Sequence, residues 1–221
     1  MSAGSIKTAG GFITFEGGEG SGKSTQIRKL FAHLKATGKD VLMTREPGGS
    51  PRAEKIRDIL LNGDVAQWDP HSEYLLFSVG RRAHLQDVII PHLQKGGWVL
   101  CDRFYDSSLA YQHFGHGLSR RFMDDIYHEI SAGCFPDLTF YLDIDPRIGL
   151  PRALKRPGGE DRFESMGLAF HERVRAGYHQ LITENPDRFV QIDGQLSIDG
   201  LFQEILAALP ETQASPDLVS F

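Results

Sequence analysis

The sequence predicts a doubly wound, parallel five-stranded α/β sheet flanked by helices, with a small lid segment. Three observations predict it. Five short apolar runs are nearly continuous, as in strands buried on both faces. Stretches with helical periodicity alternate with them, which implies parallel strands joined by crossover helices. A glycine-rich turn joins the first apolar run to the first helical stretch.

Phe12–Phe15, Val41–Met43, Val99–Cys101, Leu138–Leu142 and Phe189–Ile192 read as the strands. Thr25–Thr37, Pro51–Asn62, His71–Lys95, Arg120–Ala132, Pro146–Lys155, Leu168–Glu184 and Ile198–Leu209 read as the helices. Asp145 before Pro146 fits an N-cap followed by a first-turn proline. Leu75, Leu76, Val79 and Ala83 recur at helical spacing, so core packing is their default role. Residues 11–210 form one domain, with the lid at about 150–164. Residues 1–10 and 211–221, with prolines at 210 and 216, read as loose ends. In such sheets ligands bind at the carboxyl ends of the strands.

Composition narrows the function. The 221 residues suffice for one sizeable core. A net charge of −5 argues against bulk nucleic-acid binding but not against a local basic pocket. No run approaches the roughly 20 apolar residues of a membrane span. Met1–Gly10 has no signal-like apolar core. Cys101 and Cys134 make no CxxC pair, so they are expected as reduced, buried thiols of a cytoplasmic protein. His113 and His116 are three apart but lack an evident third ligand, and read as loop or pocket-rim histidines.

Gly17-Gly18-Glu19-Gly20-Ser21-Gly22-Lys23-Ser24 matches GxxxxGK[ST] and lies between a strand and a helix, the context the motif requires. Its glycines let backbone N–H groups turn inward around phosphate oxygens, and the following helix start, with Thr25, adds its dipole. Lys23 is expected at the β- and γ-phosphates and Ser24 at Mg²⁺. The motif therefore predicts the P-loop NTPase fold and a nucleoside triphosphate, without choosing kinase, GTPase or motor.

Other residues choose. There is no Asn-Lys-x-Asp guanine reader. The strand Val99–Cys101 ends in Asp102-Arg103 rather than the Asp-Glu of a motor ATPase. Asp102 could hold Mg²⁺ through water, and Arg103 could clamp a second phosphate bidentately. Thr44-Arg45-Glu46-Pro47-Gly48-Gly49 projects Arg45 and Glu46 from another strand end. Arg152, Lys155, Arg156 and Arg162 flank Pro157-Gly158-Gly159, as suits a basic lid closing over a transferring phosphoryl group.

Together these residues resemble bacterial thymidylate kinase. The resemblance rests on residues 15–24, 44–49, Leu-Leu-Phe-x-x-x-Arg at 75–81, Asp-Arg-Phe at 102–104, Ala-Tyr-Gln at 110–112, Tyr-Leu-Asp at 141–143 and Asp-Arg-Phe-Glu at 161–164. It runs in order from about Gly11 to Leu209. It implies ATP with Mg²⁺ as donor, dTMP as acceptor, and a homodimer built from helices.

By the same resemblance Phe77 would stack on thymine and Arg81 would hydrogen-bond it. Ser107 and Ser108 would lie near the pyrimidine, Tyr111 near the sugar and Gln112 beside it. Arg103 would clamp the acceptor phosphate near Arg45, with Glu46 and Pro47 in the same wall, while Glu19 would contact the sugar or a metal-bound water. A P-loop without arginine and a basic lid resemble the lid-arginine subgroup, with Arg152, Arg156 and Arg162 catalytic alongside Lys23. His113, His116, Gly80 and Phe104 depart from the pattern. A deoxynucleoside kinase and a slow ATPase switch on the same fold remain the alternatives.

Overall fold

The computed structural model describes residues 10–61, 68–155, 163 and 165–209. Strands β1 (Phe12–Glu16), β2 (Val41–Arg45), β3 (Trp98–Asp102), β4 (Leu138–Asp143) and β5 (Phe189–Asp193) form one parallel sheet in the order β2-β3-β1-β4-β5. β1 is central, its Phe15 level with Asp102 of β3 and with Phe140 of β4. The chain leaves β1 toward β2 and later crosses to β4, so a topological switch lies at the end of β1.

Alternation along each strand feeds two cores. Phe12, Val99, Cys101 and Tyr141 point to one face. There they meet helices α3 (Pro70–His84), α5 (Tyr105–Ser108), α6 (Arg120–Ser131) and α8 (Leu168–Glu184). Ile13, Phe15, Leu100, Phe140 and Leu142 point to the other and meet α1 (Lys23–Ala36) and α9 (Ile198–Ala207). Helix α2 (Pro51–Leu61) packs on α3, and α7 (Pro146–Leu154) on α8. Asp145 caps α7 by accepting from the Arg147 amide at 2.8 Å, as its place before Pro146 predicts.

Three expectations change. The helix expected over 71–95 is interrupted: α3 passes through a π-helical turn, Leu85–Ile89, into α4 (Ile90–Gln94). Pro91, which has no N–H to donate, sits just after that turn. Residues 105–115, which no periodicity marked, continue from α5 into a π-helical segment, Leu109–Gly115. Its wider turns place Tyr111 and Gln112 on the buried side. Leu75 and Val79 are not core: they are 43% and 56% exposed on α3, because Tyr74, Ser78, Arg81 and Ala83 take its inner face. The Asn62 end of α2 and the lid residues 156–162 and 164 lie outside the described residues, as do 1–9 and 210–221. Cys101 and Cys134 are buried and free, as expected.

Candidate active site

The loop 17–22 connects the buried end of β1 to α1. Gly22, at φ 97°, supplies the left-handed N-cap that lets the chain turn from loop into helix. Lys23, the first residue of α1, folds back over this loop, donating from Nζ to the Gly17 and Gly18 carbonyls, each at 2.9 Å. Burial, with Arg103 nearby, pushes its pKa down to about 8 against the pull of Glu19 and Asp102. Ser24 Oγ donates to Asp102 Oδ2 at 2.9 Å, bringing together the two residues expected at a metal.

Arg103 follows β3 in the left-handed region, φ 66°, a costly conformation for a side chain with a Cβ. Its guanidinium is held on both sides. Nη1 donates to the Gly17 carbonyl and to Ser107 Oγ, both at 3.1 Å. Nη2 donates to Glu19 Oε1 at 2.6 Å and to Tyr111 Oη at 3.2 Å. Tyr111 in turn donates to the same Glu19 oxygen at 2.8 Å. Burial would raise the Glu19 carboxyl, but Arg103, Lys23 and the Tyr111 hydroxyl outweigh it and hold it at about 2.

Beneath this layer Glu16, at the end of β1, accepts from the Phe104 amide at 2.8 Å and from the Ser107 and Tyr178 hydroxyls. Burial and the nearby Asp106 raise it to about 7, the hydroxyl bonds opposing. Glu16 thus ties the turn that carries Arg103 to the end of the P-loop strand.

On the far side Arg81 of α3 is buried. Its Nε donates to Glu46 Oε2 at 2.7 Å, and its Nη2 to Ser108 Oγ at 2.9 Å and to the Phe104 carbonyl at 3.3 Å. Gln112 donates to Glu73 at 2.8 Å. Arg45 is half exposed and pairs with Glu54 at 3.0 Å.

One cleft of about 390 Å³ joins these parts. Glu19, Gly20, Ser21, Gly22, Lys23 and Ser24 line one end, and Arg45, Glu46, Pro47, Phe77, Arg81, Ser108 and Gln112 the other. Asp102, Arg103, Ser107 and Tyr111 also line it. Gly17, Gly18 and Thr25 do not line it; the two glycines instead offer carbonyls to Lys23. Arg152 is exposed on α7 and does not line the cleft, and Arg156 and Arg162 lie outside the described residues.

Four lining residues were missed: Arg57, Leu61, Phe104 and Phe163. Arg57 and Leu61 are four apart on α2, so they share a face, a signal the sequence offered. Phe163 packs edge-on to Tyr111 at 5.6 Å and tilted to Phe77 at 6.4 Å. It stands inside Asp-Arg-Phe-Glu but carries no charge to draw attention. Phe104 is wholly buried, edge-on to Phe12 at 5.0 Å, which explains an aromatic there without any ligand role. Gly80 faces the Ile56 side chain of α2, and a Cβ there would make only ordinary contact at 3.4 Å. His116 packs on Phe170 at 4.8 Å, and His113 meets the Leu118 carbonyl.

A parallel sheet with a P-loop at its switch point, sharing one cleft with a basic, aromatic wall, defines a P-loop phosphotransferase. Comparison with known proteins sharpens the class. The thymidylate kinase family model matches residues 15–205. A thymidylate kinase of Caulobacter vibrioides is 51% identical over 194 residues, covering 88% of this chain and 93% of that one. One of Dinoroseobacter shibae is 48% identical over 200 residues, covering 90% and 96%. The crystal structure of thymidylate kinase from Ehrlichia chaffeensis superposes with a TM-score of 0.73 at 32% identity, over 90% of this chain and 97% of that one. The chain belongs to the thymidylate kinase family.

Proposed function

We propose that this enzyme transfers the γ-phosphoryl group of ATP to dTMP, giving dTDP, with the roles of individual residues as follows. The observation that carries the reading is the single cleft shared by the P-loop and the aromatic, arginine-bearing wall, because in-line transfer needs donor and acceptor in one enclosure.

At the donor end, the amides of residues 17–25 cradle the phosphates and Lys23 neutralises the β- and γ-oxygens. Ser24 and Asp102 offer a hydroxyl and a carboxylate oxygen side by side, a hard-oxygen set that suits Mg²⁺. When bound with ATP, Mg²⁺ would neutralise charge on the phosphates. The basic lid, with Arg152, Arg156 and Arg162, adds positive charge over the transferring group.

At the acceptor end, Phe77 and Phe163 flank the base, and Arg81 and Ser108 bind its polar edge. Support for Arg81 comes from its Nη1, which is buried and without a hydrogen-bond partner among the described residues. Tyr111, Gln112 and Glu19 border the sugar, and Arg103 clamps the acceptor phosphate, with Arg45, Glu46, Pro47 and Ser107 completing the wall. That phosphate is already ionised at neutral pH, so the reaction needs no strong general base.

The reading includes one domain over residues 11–210 and a cytoplasmic setting, which the two free, buried thiols support. It also includes a homodimer. The apolar side chains Ile59 of α2 and Leu75 and Val79 of α3 are 43%, 43% and 56% exposed on two helices packed together, which supports a helical interface.

Measuring ADP formation from ATP and Mg²⁺ with each nucleoside monophosphate, and with thymidine, tests the reading. The expected result is turnover selective for dTMP. Preference for thymidine would remove the acceptor-phosphate role of Arg103. Acceptor-independent hydrolysis would remove the acceptor site altogether.

A further inference from the structure

His84, the last residue of α3, is completely buried and does not line the cleft. It sits in a socket made by the end of β2 and the loop that follows it. Its Nε2 lies 2.7 Å from Thr44 Oγ1, and its Nδ1 lies 3.1 Å from Glu46 Oε1. A Cβ on Gly49 would stand 2.3 Å from His84 Nε2 and 2.5 Å from Thr44 Oγ1, so glycine there leaves the room this pair occupies. The other Glu46 oxygen accepts from Arg81 Nε at 2.7 Å. A continuous chain of bonds therefore runs Thr44–His84–Glu46–Arg81.

The chemistry fixes the donors. A carboxylate only accepts, so Nδ1–H donates to Glu46, and in the neutral ring Nε2 accepts from the Thr44 hydroxyl. The terminal torsion of a glutamate is soft. Held by Arg81 alone, the Glu46 carboxylate could swing. A donor on each of its two oxygens fixes its plane, and that plane fixes the direction of Arg81 Nε–H. With Nη2 tied to Ser108, the planar guanidinium has one orientation, and only Nη1 is left without a partner among the described residues.

We propose that His84 is a positioning residue for acceptor recognition: through Glu46 it holds the Arg81 guanidinium in the orientation from which Nη1 hydrogen-bonds the acceptor base. This rests on the reading of Arg81 as the base contact. Because a guanidinium only donates, Nη1 facing the C4 edge of the base selects a pyrimidine with a carbonyl oxygen there over one with an exocyclic amine there, dTMP over dCMP. The Thr-Arg-Glu-Pro-Gly-Gly segment then acquires a second role: Thr44 and Gly49 build the socket, and Glu46 passes its geometry to the cleft.

Steady-state kinetics for ATP, dTMP and dCMP, with melting temperatures, on His84→Leu, His84→Asn, His84→Gln and Arg81→Lys test this. An asparagine amide can place an N–H where Nδ1 stands, whereas a glutamine amide reaches toward Thr44. His84→Leu is expected to raise the dTMP KM about tenfold, the loss typical of a bond to a charged group. It should narrow the preference over dCMP while the ATP KM and kcat at saturating dTMP stay within about twofold. Asn should recover most of the loss and Gln should not. In the Arg81→Lys background, His84→Leu should add little, since both act through one guanidinium.

A lower melting temperature with an unchanged dTMP KM, or a parallel rise in the ATP KM, would overturn the proposal, as would rescue by Gln rather than Asn. If His84→Leu does not fold, Thr44→Val keeps the shape and removes the hydroxyl. A dTMP KM raised severalfold with an unchanged ATP KM supports the proposal, and an unchanged dTMP KM overturns it. If Arg81→Lys leaves the dTMP KM unchanged, the base-contact reading falls and takes the proposal with it. If only the His84 effects are missing, the proposal falls alone.

Discussion

Gly20 of the P-loop and Gly149 of α7 meet backbone to backbone. A Cβ on Gly20 would stand 2.1 Å from the Gly149 carbonyl oxygen, and a Cβ on Gly149 would stand 2.3 Å from the Glu19 carbonyl oxygen. Glu19 is the residue whose carboxylate engages Arg103 and Tyr111. The helix that leads into the lid is thus seated directly on the loop that is to hold ATP, and neither partner can yield without moving main chain.

Gly149→Ala is therefore expected to lower stability by about 1–3 kcal/mol, the usual cost of overpacking, and melting by several degrees. It should also weaken ATP binding more than dTMP binding, since the displaced atoms belong to the loop. Thermal melts and calorimetric titration with each nucleotide read both effects. A wild-type melt together with a wild-type ATP affinity would show that the contact tolerates a methyl group.

How legible was this site? The P-loop, the Asp102-Arg103 strand end and the Thr44–Gly49 loop could be read because glycines and charges at strand ends have few structural excuses. The five strands were found for a related reason: residues such as Phe12–Phe15 and Val99–Cys101 are apolar on both faces, and the two cores account for both faces. Periodicity did not mark residues 105–115, because from Leu109 on the hydrogen bonds follow a π rather than an α period and the buried Tyr111 and Gln112 fall out of step with 3.6. Glu16 and His84 escaped for another reason. Glu16 closes the first strand just before the glycines and His84 follows the Arg81-Arg82 pair, so neither stands out locally, and only the folded chain shows that their partners come from far along the sequence, such as Tyr178 and Thr44.

Glu16 carries a consequence for pH. Its carboxyl is raised to about 7 in the fold, from an unfolded value near 4.5, by burial and then by Asp106. Between those values the folded chain binds the proton the unfolded chain has released, so this group lowers stability as pH rises from about 4.5 to about 7. Glu16→Gln keeps an acceptor for the Phe104 amide and removes the ionisation. The variant should gain stability relative to wild type across that window, by a few kcal/mol at most. Denaturant titrations at pH 5 and 7.5 give the two differences. Equal differences at both would place the Glu16 carboxyl at an ordinary value.

Arg103 makes four hydrogen bonds through two nitrogens, to Gly17, Ser107, Glu19 and Tyr111. A lysine can restore its charge but not that fork. Arg103→Lys is expected to lower kcat/KM for dTMP by roughly 100-fold or more, with a smaller change in the KM for ATP. Near wild-type kinetics would mean that charge alone suffices at this position.

Val79 is the most exposed apolar residue of α3, Leu75 four residues earlier shares its face, and Ile59 is exposed on α2, which packs on α3. If these residues meet a second copy, Val79→Arg places like charges together in a dry interface, and dissociation follows. Sedimentation should then show a dimeric wild type and a monomeric variant with an unchanged far-UV spectrum. A monomeric wild type would assign the stripe to something other than self-association.

Lys23 gives the most direct test of the phosphate site. Its ammonium is held over the loop by the Gly17 and Gly18 carbonyls, and burial, with Arg103 beside it, brings its pKa down to about 8. The charged form is the one that meets ATP, so in the free enzyme kcat/KM for ATP should fall as pH rises through about 8. Bound phosphates favour the ammonium, so kcat should hold to higher pH than kcat/KM does. Replacing the side chain by methionine keeps its length and removes the charge, and should lower kcat by roughly a thousandfold, because that charge acts on oxygens whose negative charge develops in the transition state. A pH profile from 6.5 to 9.5 separates these effects. Profiles for kcat/KM that stay flat to pH 9.5, together with a Lys23→Met variant near wild-type turnover, would leave the P-loop as a binding element without a catalytic charge.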